Sequence, residues 1–61
     1  MKIYAVKVHN EYDAKFGYED ETVDLFATKE LALKILEEVK EDYEEFEGNK
    51  LYVEEIFVRE E

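Results

Sequence analysis

The sequence predicts a small α+β domain, in which a three-stranded antiparallel sheet carries one helix packed on one face. Three short segments alternate between apolar and polar residues, and one longer segment has the apolar spacing of a helix. The element order is β–β–α–β. A right-handed crossover through the helix would place the third strand parallel to the second, with the first between them, which gives the sheet order 2-1-3. Sixty-one residues form a single domain, 1–61.

The first strand, residues 2–9, alternates most regularly. Both of its faces are apolar near the start, so we expect it at the centre of the sheet. One face carries Tyr4, Val6 and Val8, and the other carries Ile3, Ala5 and Lys7.

The two remaining strands are expected at residues 22–27 and 50–59. The second strand would place Val23 and Leu25 on one face and Phe26 on the other. In the third, the alternation breaks at residues 54 and 55, both glutamate. A β-bulge there, or an edge strand with a solvated middle, would account for the break. Residues 60 and 61 are expected to fray.

The helix is predicted over residues 28–47. Thr28 is a suitable N-cap, and Gly48 can adopt the left-handed conformation that ends a helix. Glu30 and Lys34 stand in the favourable order for an ion pair four residues apart, and Leu33 points away from the apolar stripe. That stripe consists of Leu31, Ala32, Ile35, Leu36, Val39, Tyr43 and Phe46.

The opposite side of the helix is acidic. Like-charge pairs four residues apart, such as Glu37 with Glu41, destabilise a helix by about 0.2–0.5 kcal/mol each. The anions also gather in the C-terminal half, where the helix dipole favours cations. Local helix stability therefore does not explain them. The acidic helix surface consists of Glu30, Glu37, Glu38, Glu41, Asp42, Glu44 and Glu45.

Two interpretations of this surface remain open. It is either a solvated face that provides solubility, or a partner surface that presents carboxylates where the partner expects phosphates. The formal net charge of −10 disfavours direct binding to nucleic acid or anionic membrane, because phosphate neutralisation needs clustered lysine and arginine. It favours a basic protein surface as partner, bound in a salt-sensitive way.

Catalytic and metal chemistry find little support. The chain has no cysteine or serine, and its one histidine, His9, precedes a polar connector. Asp13, Glu19, Asp20 and Glu21 could gather around a hard cation, but their spacing matches no EF-hand. We therefore expect no enzyme, no cofactor and no metal site.

The connector at residues 9–21 is rich in aromatic residues. The strands are expected to extend into it, to about Tyr12 and back from Tyr18, with a turn near residues 13–17. We expect Tyr12, Phe16 and Tyr18 to cap one end of the core. The alternative is an exposed recognition patch.

One face of the predicted sheet has no element to cover it. Alternation places apolar side chains there, and a contiguous apolar patch would indicate a homodimer or a partner. We select Tyr4, Val6 and Ile56 as contact residues on that face.

Three stretches carry a resemblance: MKIYAV at the start, LFATKELALKIL at the strand–helix junction and YVEEIFV near the end. They resemble a loose group of small uncharacterised proteins from bacteria and phages that share a β–β–α–β layout. This resemblance implies a cytoplasmic accessory protein and carries over no catalytic residue. In size and acidity the chain is also similar to phage inhibitors that imitate DNA, such as anti-restriction proteins, uracil-DNA glycosylase inhibitors and anti-CRISPR proteins.

Two functional hypotheses follow. The first is a non-enzymatic acidic binding module that mimics nucleic-acid phosphates and blocks a basic DNA- or RNA-processing protein. The second is a structural or assembly protein that homodimerises through the uncovered sheet face, its acidity serving solubility only. In both, the absence of a signal-peptide pattern and of a ~20-residue apolar run predicts a cytoplasmic location.

Overall fold

A three-stranded sheet and two helices make up the fold in this computed structural model, which describes residues 1–59. Along the chain they are β1 (Lys2–Asn10), α1 (Glu11–Lys15), β2 (Glu21–Phe26), α2 (Lys29–Glu44) and β3 (Asn49–Phe57). The central strand β1 pairs antiparallel with both β2 and β3, so the order β2-β1-β3 confirms the prediction. Glu60 and Glu61, which were expected to fray, lie outside the described residues.

The pairing of β1 with β3 is regular from end to end. All nine residues of β1 have a partner in β3, from Lys2 opposite Phe57 to Asn10 opposite Asn49, with no shift of register. The predicted bulge in the third strand is therefore wrong. Its alternative is confirmed, because β3 is an edge strand whose middle residues Glu54 and Glu55 are exposed.

The irregularity lies instead between β1 and β2. Val6 pairs with Asp24 and Lys7 pairs with Thr22, which leaves Val23 as an extra residue in β2. The extra residue changes the phase of the strand, so Val23 and Phe26 both pack against the core. Leu25 is 53% exposed, and the predicted placement of Val23 and Leu25 on one face is wrong.

The helix α2 begins as predicted. Thr28 has extended backbone angles, and its hydroxyl oxygen accepts a hydrogen bond from the backbone N–H of Leu31 at 3.2 Å. This bond satisfies one of the N–H groups that have no partner inside the helix.

The helix ends at Glu44, earlier than predicted. The backbone N–H of Phe46 donates to the carbonyl of Tyr43, and the side-chain amide of Asn49 donates to the same carbonyl at 2.9 Å. These bonds turn the chain toward β3. Phe46 is consequently 69% exposed, and its predicted place in the buried stripe is wrong. Gly48 has the predicted positive φ, +86°, at the end of the turn.

The core lies between α2 and the sheet. Val6 and Ala32 have no exposed area, and Leu36 is 8% exposed. The partly buried residues around them are Tyr4, Val23, Phe26, Leu51 and Val53. On α2 itself, Leu31 is as exposed as Leu33, so the buried stripe of the helix is narrower than predicted.

A short helix replaces part of the predicted connector. The side-chain oxygen of Asn10 accepts hydrogen bonds from the N–H groups of Tyr12 and Asp13, both at 3.0 Å, and so caps α1. The N–H of Glu11 donates to the carbonyl of Gly48. A Cβ at Gly48 would lie 2.8 Å from the ring of Tyr12, so the two connections pack too closely for a side chain there. The predicted extension of the strands, to Tyr12 and back from Tyr18, is wrong, because β1 ends at Asn10 and β2 begins at Glu21.

The molecule is thin, because one helix layer covers one sheet layer. Its Cα atoms extend over 38 × 27 × 11 Å. On the face away from α2, Ile3 pairs with Ile56 and Ala5 pairs with Leu25. No helix or strand within residues 1–59 covers this face, which we call the open face. Neither of the two helices described is long and apolar enough to cross a membrane.

The first prediction concerns the core. We expect Leu36→Ala to lower the free energy of unfolding by about 2–4 kcal/mol, because it removes buried methyl groups and leaves a cavity. The control, Leu33→Ala, shortens an exposed leucine of the same helix and should change the free energy of unfolding by less than about 0.5 kcal/mol. Urea unfolding followed by circular dichroism measures both values. Equal losses for the two variants would contradict the core described above.

Candidate functional site

The acidic helix surface lies on the solvent side of α2 and in the turn after it. All seven of its residues are exposed. Within residues 1–59, six of the seven carboxylates have no hydrogen bond and no ion pair. The exception is Glu44, whose Oε2 accepts from the backbone N–H of Leu51 at 3.2 Å. The six others are available to a partner without breaking an internal contact.

Negative charge is concentrated at the C-terminal end of this surface. Residues 37–47 contain seven acidic residues and one lysine, which gives −6 of the formal charge of −10. The last turn of α2 has no basic residue, so the helix dipole adds to the negative potential there. The predicted ion pair between Glu30 and Lys34 is not formed. Glu41, Asp42, Glu44 and Glu45 line a shallow depression by themselves.

The three residues selected for sheet-face contact do not share a face. Val6 is fully buried beneath α2, and Tyr4 packs against the same cluster. Only Ile56 lies on the open face, opposite Ile3. The selection of Tyr4 and Val6 is corrected, because the helix covers the face that carries them. The apolar residues of the open face are Ile3, Ala5, Leu25 and Ile56.

A polar cluster occupies the other end of the open face. The Asp20 carboxylate interacts with the His9 ring, with 2.7 Å between Oδ1 and Nδ1, and its Oδ2 accepts a short hydrogen bond from the Tyr52 hydroxyl. We call these three residues the polar clasp. Beside it, Lys7 Nζ forms an ion pair with Glu54 Oε2 at 2.9 Å. The clasp links β1 and β3 to the segment that leads into β2.

These contacts shift the ionisation of two groups in the clasp. The hydrogen bond from Tyr52, followed by that from His9, lowers the pKa of the Asp20 carboxyl below its ordinary value of 3.8. The hydrogen bond to Asp20 raises the pKa of the Tyr52 hydroxyl from 10.0 to about 12. Near neutral pH the clasp therefore holds a carboxylate and a neutral phenol.

The geometry of the clasp favours a structural role. Both oxygens of Asp20 are engaged, and the chain has no serine or cysteine to act as a nucleophile beside His9. Sequence reasoning did not find the clasp, because only the register of β1 and β3 shows that Lys7 lies opposite Tyr52. The alternation that placed Lys7 on one face extends to His9, but it could not place Asp20 beside them.

The aromatic residues of the connector are exposed. Tyr12 is 41% exposed, Phe16 is 81% exposed and Tyr18 is 70% exposed. The expectation that they cap the core is wrong, because α1 directs the connector away from the core. The Tyr12 hydroxyl donates to Glu47 Oε1 at 3.0 Å, which ties α1 to the turn after α2.

Between this connector and the end of α2 lies a cleft of about 460 Å³. Its volume falls within the ~300–1,000 Å³ typical of ligand sites. We call it the aromatic cleft. Six of the residues that line it are Asp13, Tyr18, Glu19, Glu21, Tyr43 and Phe46.

The four carboxylates of the connector line one cleft but are not placed to share a metal ion. Among the described residues, no three histidine, aspartate or glutamate side chains are placed to hold a metal ion together. All four line the aromatic cleft, and Asp20 is also engaged in the polar clasp.

The second prediction concerns the pH dependence of stability. Because the pKa of Tyr52 in the folded protein exceeds its ordinary value, the protonated hydroxyl stabilises the fold below about pH 10, and this contribution is lost as the pH rises through about 12. Because the pKa of Asp20 is lowered in the folded protein, its ionised carboxylate stabilises the fold at pH values above its ordinary pKa of 3.8. This contribution is lost as the pH falls through the lowered pKa. We expect Tyr52→Phe to weaken the pH dependence at both ends. Urea unfolding at a series of pH values measures it.

Tyr18→Phe is the matched control, since the Tyr18 hydroxyl makes no hydrogen bond within the described residues. Its profile should follow that of the wild type. Tyr12, whose pKa is also raised, contributes equally to all three proteins at high pH. A Tyr52→Phe profile that superimposes on the wild type would show that the clasp does not stabilise the fold.

Comparison of this chain with models of known protein families, with curated proteins and with solved structures finds no match.

Proposed function

We propose that this chain is a non-enzymatic acidic protein-binding module. Its acidic helix surface engages the basic groove of a DNA- or RNA-processing protein in place of nucleic-acid phosphates, and so inhibits that protein, as phage-encoded DNA mimics do. The observation that carries the proposal is the row of exposed carboxylates on α2, six of which have no internal partner among residues 1–59.

The density of charge along α2 supports phosphate mimicry. Residues 37–45 hold six carboxylates and one lysine. At 1.5 Å per residue they cover about 12 Å of helix axis, or one net negative charge per ~2.4 Å. This lies between the ~3.4 Å per charge of one DNA strand and the ~1.7 Å of the duplex. A groove adapted to phosphates would meet a comparable charge density here.

The energetics of α2 also support phosphate mimicry. The like-charge pairs and the anions at the C-terminal end destabilise the isolated helix. Solubility alone would be served equally well by carboxylates spread over the molecule, without this local penalty. A basic partner would convert the repulsion into attraction, and salt would weaken that attraction.

The third prediction tests the surface by charge reversal. We expect Glu37→Lys with Glu41→Lys to weaken binding of a captured basic protein at least about tenfold, because two contacts become repulsive at the centre of the surface. The captured proteins come from a bacterial lysate, loaded at low salt and eluted at high salt. Biolayer interferometry then measures affinity, and displacement of duplex DNA from the captured protein measures mimicry.

The matched control is Glu11→Lys with Asp24→Lys, which changes the net charge equally but lies outside α2. It should bind within about threefold of the wild type, since only long-range attraction is reduced. Equal losses for the two double variants would show that net charge, not the helix surface, determines binding. Capture with no competition against DNA would contradict phosphate mimicry.

A second candidate function is homodimerisation through the open face, as a structural or assembly protein. The specific observation is that both carboxylates of the open face, Glu54 and Asp20, are paired, which among residues 1–59 leaves Lys50, opposite His9, as its free charge. Lys7 is bonded to Glu54, and His9 lies against Asp20. The open faces of two copies could therefore pack through Leu25 and its apolar neighbours without repulsion between free carboxylates.

The fourth prediction separates this candidate from the first. If the open face forms a dimer, Leu25→Lys should abolish a concentration-dependent rise in mass, because it places a charge on an exposed apolar position. Sedimentation equilibrium over a wide range of concentrations measures the mass. The control is Leu33→Lys, since Leu33 is similarly exposed on α2. A wild type that remains monomeric throughout would exclude the dimer.

A further inference from the structure

We propose that the aromatic cleft binds an arginine side chain of the partner protein. The inference deepens the proposed function, because it names a side chain that the basic partner would supply. It depends on the proposed function in one respect only, which is that the partner is a protein. The cleft lies beside the C-terminal end of the acidic helix surface and uses different residues.

Aromatic side chains form the apolar walls of the cleft. Tyr18 comes from the connector after α1, Tyr43 from the last turn of α2, and Phe46 from the turn that follows. Tyr18 is 70% exposed and Phe46 is 69% exposed. Large aromatic rings exposed to this extent on both sides of one cleft are available for stacking with a ligand.

Four carboxylates line the cleft, and three of them have no partner within residues 1–59, while the fourth, Asp20, is engaged in the polar clasp. Asp13, Glu19 and Glu21 line the cleft, and none of their carboxylates forms a hydrogen bond or ion pair within residues 1–59. The chain supplies no lysine or arginine to the lining. The cleft therefore combines apolar walls with uncompensated negative charge, and both features match an organic cation.

Two of the other exposed aromatic residues, Tyr12 and Phe57, already have a cation nearby, whereas Phe16 has none within residues 1–59. Lys15 Nζ lies 5.6 Å from the centre of the Tyr12 ring, and Lys2 Nζ lies 5.2 Å from that of Phe57. Within residues 1–59, no such contact involves the rings of Tyr18 and Phe46. The two exposed rings that line the cleft thus lack the interaction made by two comparable rings elsewhere.

The inner end of the cleft is held in place by internal hydrogen bonds. The Asn10 amide donates to Asn49 Oδ1 at 2.7 Å, and the Asn49 amide donates to the carbonyl of Tyr43 at 2.9 Å. Both asparagines line the cleft. Because their amide groups are engaged with each other and with the backbone, the cleft is largely preformed, which reduces the entropy lost on binding.

Among organic cations, arginine fits this lining best. Its planar guanidinium stacks on aromatic faces and pairs bidentately with carboxylates, and it is more weakly hydrated than an ammonium group. A lysine ammonium is a compact, strongly hydrated charge and would use the rings less well. An anionic ligand would meet the three free carboxylates, and a purely apolar one would leave them desolvated.

The fifth prediction uses N-acetyl-arginine amide as the probe, so that only a capped side chain is presented. Titration followed by NMR should give saturable shifts of the Tyr18 and Phe46 ring signals. N-acetyl-citrulline amide, which is nearly isosteric and neutral, should bind about tenfold more weakly or not at all. N-acetyl-lysine amide with a free ε-amine should bind about threefold more weakly than the arginine probe.

The main variant is Phe46→Ala, whose side chain is exposed and makes little contribution to the core. This substitution should weaken binding of the arginine probe about three- to tenfold. The matched control, Phe57→Ala, removes an equally exposed ring at the far end of β3 and should leave the affinity unchanged. A second variant, Glu19→Gln with Glu21→Gln, keeps the shape of the cleft. Its affinity for the arginine probe should fall as that of Phe46→Ala does.

The outcomes distinguish the two proposals. Equal binding of the citrulline and arginine probes, or shifts spread over α2 instead of the cleft, would overturn the arginine site. Equal affinity for the lysine probe would overturn the choice of arginine. The variant with Glu37→Lys and Glu41→Lys should bind the small probe as the wild type does. If it does so but loses the captured protein, the cleft and the helix surface act separately.

Discussion

The single packed interface between α2 and the sheet is the constraint on which the rest of the structure depends. Val6, Ala32 and Leu36 are the buried residues at its centre, and among residues 1–59 no second helix layer covers the sheet. Because the sheet has only one cover, one side of α2 is committed to the core and the other must face solvent. The acidic residues are confined to positions that the core does not use. Their charge can therefore vary without repacking the interior.

The open face replaces a second helix layer with polar contacts. Ala5 has no exposed area although no helix lies over it, because neighbouring side chains on the strands cover so small a residue. Lys7 pairs with Glu54 next to it, and the polar clasp joins the segment before β2 to the other two strands. These contacts pair both carboxylates of this face and leave Lys50 as its free charge, whereas six of the seven carboxylates of the acidic helix surface have no partner within residues 1–59. The molecule thus has one surface whose carboxylates are paired and one whose carboxylates are mostly free.

The sequence was sufficient for the topology because the topology follows from a few strong constraints. The β–β–α–β order and the handedness of the crossover predict the sheet order 2-1-3, and Thr28 marks the start of α2. The errors arise where long-range contacts override local periodicity. Phe46 fits the apolar period of the helix, yet hydrogen bonds from Asn49 end the helix before it. The extra residue Val23 changes the faces of β2 through its pairing with β1.

The two proposed functional surfaces also differ in how far the sequence predicts them. Periodicity alone places the acidic residues on one side of α2, since a helix surface depends only on local spacing. The aromatic cleft brings together residues that are far apart in sequence, from the connector and from the turn after α2. It exists because α1 and the early end of α2 expose Tyr18 and Phe46. The exposure of Tyr18 was the alternative that the sequence left open, whereas the exposure of Phe46 was not predicted. Sites built from two connections need the register and the turns, and these are the features that pattern reasoning determines least well.

The two surfaces would make different contributions to one complex. The charge of α2 acts over the Debye length of about 8–10 Å, so it would raise the association rate and would lose its effect in salt. Stacking of a guanidinium between Tyr18 and Phe46 acts only on contact and is screened far less. Charge alone would attract many basic proteins, since phosphate-binding grooves resemble one another electrostatically. A cleft that requires one arginine at a fixed distance from the groove would select among them, so specificity would come from the cleft and speed from the helix.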